Sequence, residues 1–74
     1  MQFQKVEDVK PPLNLEVLGY NKEWIDGDYN PDGINICFLD ENGWVTAYWS
    51  YHKDRYTNSY HMKPTHWIHK PKFN

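Results

Sequence analysis

Hydrophobic and polar positions alternate most clearly over residues 33–51, and the rest of the chain is organised around that stretch. Ile34, Ile36 and Phe38 interleave with Asn35, Cys37 and Leu39. This period of two points successive side chains to opposite faces of a strand. Asp40-Glu41-Asn42-Gly43 then reverses the chain. Asn and Gly tolerate the positive φ of a tight hairpin loop, so Asn42-Gly43 marks the turn. The return strand, residues 44–51, sets Trp44, Thr46, Tyr48 and Ser50 on one face and Val45, Ala47, Trp49 and Tyr51 on the other. With large rings on both faces, at least one face presents more aromatic surface than a small core requires.

On either side of this hairpin the pattern is shorter-ranged. Residues 1–12 have mixed polarity and end in Lys10-Pro11-Pro12, which excludes helix there and predicts an arm or a short edge strand. Residues 13–20 alternate as a first strand with Leu13, Leu15 and Val17 inward, and residues 21–25 extend it. Gly19 within that strand marks a bulge or a close backbone approach. Residues 26–33 are dense in turn formers and read as a loop, and so do the polar residues 52–58. Two short extended segments, residues 59–62 and 65–68, flank Lys63-Pro64, and the tail from Lys70 lies along the surface. No segment carries a 3.6-residue apolar period. The fold expected is all-β, with β-rich α+β as the neighbouring class: a small antiparallel meander of about four strands with an aromatic core. Residues 1–12 are the arm and residues 13–74 one domain.

At 74 residues the chain is near the size at which one core supplies only about 3–5 kcal/mol of net stability. Cys37 is the only cysteine, so no disulfide within the chain reinforces the fold; it reads as a small buried hydrophobe in a reducing compartment. With a polar N-terminus and no apolar run near the roughly 20 residues of a membrane helix, the expectation is a cytoplasmic protein without a membrane partner. Aromatic residues, 18% of the chain with four Trp and six Tyr, substitute for a larger core. The net charge of −2 hides an asymmetry: residues 1–43 hold three Lys against nine acids, a balance of −6. Residues 44–74 hold five cations against Asp54 alone, a balance of +4, and all four His. An anionic partner for the basic half would account for this, as would acidic and basic strands lying side by side, or a homo-oligomer pairing the halves.

Specific chemistry is sparse. Asp28-x-Asn30-x-Asp32-Gly33 opens like a calcium loop, but Leu39 stands where the bidentate Glu belongs, so an Asx-rich turn is the simpler reading. His61, His66 and His69, with His52 and Asp54, offer zinc-type ligands, yet His66 and His69 point to opposite faces of a strand. No metal or cofactor is therefore assigned. Cys37 between Ile36 and Phe38 is placed to be inert, and no Gly-flanked Ser elbow exists, so no catalytic residue is assigned and the protein reads as a non-enzyme. What remains is a mixture of rings and cations: Trp44, Tyr48, Trp49, Tyr51, Arg55, Tyr56, Lys63, His66 and Trp67. Rings stack on bases while Lys and Arg hold phosphates, so these nine are the candidate ligand-binding residues. The competing reading makes the same rings the core and the charges its solvated rim.

Pro11-Pro12, Val17-Leu18-Gly19-Tyr20, the run from Gly43 to Trp49 and, above all, Thr65-His66-Trp67-Ile68 with Pro71 carry a resemblance. Over residues 11–71 the chain resembles the short phage and prophage domain-of-unknown-function family five-fifty-one, whose C-terminal signature is Thr-His-Trp. That resemblance implies a phage setting, the cytoplasm of an infected or lysogenic bacterium, and a small fold; it implies no activity. The expected function is a phage accessory protein, of counter-defence type, that captures a phosphate-bearing nucleotide. The alternatives are an inhibitor that binds a host protein through an exposed aromatic patch, and a single-stranded nucleic-acid binder, which the net acidity disfavours.

Overall fold

The turn after residue 40 forms where the sequence places it, between β3 (Ile34–Asp40) and β4 (Gly43–Ser50) in a computed structural model that describes residues 2–50 and 52–71. Asp40 pairs with Gly43, leaving Glu41 and Asn42 as the two loop residues. The Asp40 carboxylate accepts from Asn42 N–H at 2.8 Å, and Gly43 takes φ 127°, where a side chain would be strained. Four further strands complete one antiparallel sheet: β1 (Gln4–Lys5), β2 (Val17–Tyr20), β5 (Arg55–Ser59) and β6 (His66–His69). The spatial order is β1-β6-β2-β3-β4-β5. Over the described residues the chain is thus all-β, with six strands rather than about four. Only β2 to β5 form a meander, since β6 returns between β1 and β2.

Three sequence expectations are corrected. Leu13 and Leu15 do not point inward but are 55% and 39% exposed, because Asn14 turns the chain at φ 64° and donates its N–H to Leu39 O at 2.7 Å. Strand pairing begins only at Val17. Residues 21–25 do not extend β2: the Asn21 side chain accepts from Glu23 N–H, capping a 3-10 turn over Lys22–Trp24. Residues 55–58 are not loop but most of β5, an edge strand whose residues are mostly exposed, so no apolar alternation announces it.

Register decides which face is buried. Val17, Cys37 and Thr46 stand opposite one another in a row across the sheet, all fully buried, and Trp44 and Trp67 lie on the same face. Val17, Cys37, Trp44 and Trp67 form a cluster on which Val6, Trp24 and Leu39 pack, so the core mixes two indoles with aliphatic groups. Residues 60–65 carry the chain from β5 to β6 over this face. Thr46 Oγ1 donates to Met62 O at 2.7 Å, Asn21 Nδ2 donates to Lys63 O at 2.7 Å, and Pro64 is buried over Gly19. A Cβ on Gly19 would collide with Cys37 Sγ and meet Pro64 Cβ at 3.0 Å, which gives the expected close approach its cause.

Candidate functional site

The β3–β4 ladder runs from Asp40 and Gly43 to Cys37 and Thr46 and stops there. Beyond that point Ile34, Asn35 and Ile36 stay paired with β2, while Ala47 to Ser50 stay paired with β5. The sheet therefore forks. At the vertex the Cys37 thiol lies 3.3 Å from Thr46 Oγ1, whose own proton is committed to Met62 O. Burial pushes the thiol pKa up, against smaller lowering effects of its hydrogen bonds to Thr46 and Gly19, so Cys37 is a structural group.

Between the prongs lies an open cleft of about 430 Å³. β4 and β5 supply Tyr48, Trp49 and Tyr56 to its wall, the 3-10 turn supplies Trp24 and the following loop supplies Tyr29. Trp49 and Tyr56 are cross-strand partners in an edge-to-face pair, ring centres 5.3 Å apart at 81°. They remain 40% and 73% exposed, unlike the core indoles. The loop wall is held by Asx geometry: Asp26 Oδ1 accepts from Asp28 N–H at 2.9 Å, and the Asn30 side chain both accepts from and donates to the Ile34 backbone. Within the calcium-like stretch, Asn30 thus serves turn hydrogen bonds, its carbonyl accepting from Gly33 N–H at 3.2 Å. Among the described residues no cluster of His, Cys, Asp or Glu is arranged to hold a metal. The ionisable residues lining the cleft, apart from tyrosines, are Glu23 and Asp26; no Lys, Arg or His lines it among the described residues.

The nine candidate residues divide. Tyr48, Trp49 and Tyr56 come together at the cleft. Trp44 and Trp67 are buried at 8% and 2%, Trp67 donating its indole N–H to Val9 O at 2.7 Å, so neither offers a face to a ligand. His66 lies on β6, edge-to-face with Tyr20 at 5.9 Å and with Nδ1 2.8 Å from Thr65 Oγ1. It borders a separate hollow with Phe3 and Asp32. Arg55 and Lys63 are exposed and do not line the cleft, and Tyr51 lies outside the described residues. Sequence reasoning missed Trp24, Tyr29, Glu23 and Asp26. The available signal was a Trp and a Tyr set beside and within a run of turn-forming residues.

No protein-family model matches the chain, and neither curated proteins nor solved structures gave a match. Among the described residues no helix is long and apolar enough to cross a membrane.

Proposed function

We propose that this is a non-enzymatic binding protein that engages a protein partner through the aromatic cleft at the fork. The observation that carries the reading is the Trp49–Tyr56 pair, exposed on the wall of a cleft that three further rings line. Trp and Tyr dominate interface hot spots because they bury large area at low entropic cost. A phage setting, with a host factor in the bacterial cytoplasm as the partner inhibited, follows from the resemblance carried by Thr65-His66-Trp67. The test is capture of a stoichiometric partner from bacterial lysate by the wild-type protein and by Trp49→Ala/Tyr56→Ala. The double variant should lose the partner while remaining folded. Equal capture by both proteins removes the reading.

Nucleotide capture is a second reading, favoured by the same rings, on which a base can stack. It also requires a cation within reach of the phosphate, and Arg55, exposed beside Tyr56 in β5, is the nearest in sequence. Glu23 and Asp26 on the cleft wall weigh toward a protein partner instead. A homo-oligomer would help nucleotide capture, since 74 residues enclose little alone. Native mass spectrometry of untagged protein separates the two readings. An oligomer carrying a few hundred extra daltons per site supports nucleotide capture, and a bare chain supports a protein partner.

A further inference from the structure

We infer that the group recognised by the cleft is a guanidinium, the side chain of an arginine presented by the partner. This rests on the protein-partner reading above and specifies its chemistry. Five rings, Trp24, Tyr29, Tyr48, Trp49 and Tyr56, line one cleft, and an aromatic face attracts a cation through its quadrupole. Rings alone would take any flat apolar group; the charge at the site narrows the choice. Glu23 and Asp26 share the lining with no basic side chain among the described residues. Asp26 spends Oδ1 on the Asp28 N–H, whereas no hydrogen bond or ion pair among the described residues engages the Glu23 carboxylate. The ion pair found among those residues, Lys70 with Glu16 at 3.2 Å, involves neither. The cleft therefore combines ring faces with a carboxylate that no cation among the described residues engages. A phosphate or carboxylate ligand would be repelled there. A guanidinium suits both features, because it is planar, stacks on rings, and presents paired N–H donors to a carboxylate.

The test is a tryptophan-fluorescence titration of the full chain with N-acetyl-arginine methylamide and with its neutral near-isostere, N-acetyl-citrulline methylamide. The arginine amide should saturate at about 1–10 mM, and the citrulline amide should bind at least about tenfold more weakly. Glu23→Gln keeps the backbone N–H that Asn21 caps and removes only the charge. It should weaken the arginine amide about 3- to 10-fold and leave the citrulline amide unchanged. Equal binding of the two amides, no binding of either, or indifference to Glu23→Gln each overturns the inference. The two levels fail separately. If partner capture depends on Trp49 and Tyr56 but the amides bind alike, only the guanidinium is lost; if capture ignores those rings, the site itself is lost.

Discussion

At the scale of the residue, the vertex of the fork leaves no room for a side chain at Gly19. Gly19→Ala would push a methyl group into Cys37 Sγ and Pro64, both fixed by the buried row around them. Overpacking of this kind costs about 1–3 kcal/mol, so thermal unfolding should show a clearly lowered Tm, and an unchanged Tm would contradict the packing described. Cys37 carries a pH signature. Its thiol is raised above the ordinary value of 9.0 by burial, so the unfolded chain loses that proton at lower pH than the fold does. The resulting contribution to stability is complete below about pH 9 and is lost as pH rises from there through the folded-state value. Tm should therefore fall more steeply above pH 9 in the wild type than in Cys37→Ala, and parallel curves would contradict the assignment. Below that range the native thiol should resist thiol reagents until the chain is denatured.

At the scale of the element, what was legible in the sequence depended on whether a segment had one buried face. The β3–β4 hairpin was legible because alternation and an Asn-Gly turn agree. β5 was not, because an edge strand with polar residues on both sides gives no period, and its principal apolar contact is the cross-strand ring pair Trp49–Tyr56. The 3-10 turn was hidden inside a segment whose Trp and Ile suggested strand, and only the Asn21 cap redirects it. The candidate site was half legible: the rings of β4 and β5 were identified, but Trp44 and Trp67 share their sequence character and differ only in register and burial. The fork itself depends on where the β3–β4 ladder stops, which no local pattern encodes. Thr46 supports that vertex through its bond to Met62 O, so Thr46→Val, nearly the same shape without the donor, should destabilise by about 1–3 kcal/mol in denaturant unfolding. Trp49→Ala/Tyr56→Ala removes an edge pair worth only about 0.5–1.5 kcal/mol beyond its burial, so that variant should remain folded while losing its partner.

At the scale of the whole molecule, the topology mixes the two charged halves. β6, from the basic half, is inserted between β1 and β2 of the acidic half, and Lys70 reaches Glu16 at 3.2 Å across that junction. Such an exposed pair contributes at most about 1 kcal/mol, so its consequence lies less in stability than in the field it leaves. The cleft side, walled partly by Glu23 and Asp26, stays acidic and aromatic. The fold thus leaves Trp49 and Tyr56 exposed where the strands part, and buries Trp44 and Trp67 in the cluster with Val17 and Cys37. The measurement that tests this account most directly is amide hydrogen exchange on the protein alone and in its purified complex with the captured partner. Protection is expected in Lys22–Trp24, through residue 30, and in residues 47–50 and 55–57, with β1 and β6 unchanged. Protection confined to Gln4–Lys5 and His66–His69 would place the working surface at the opposite edge and contradict it.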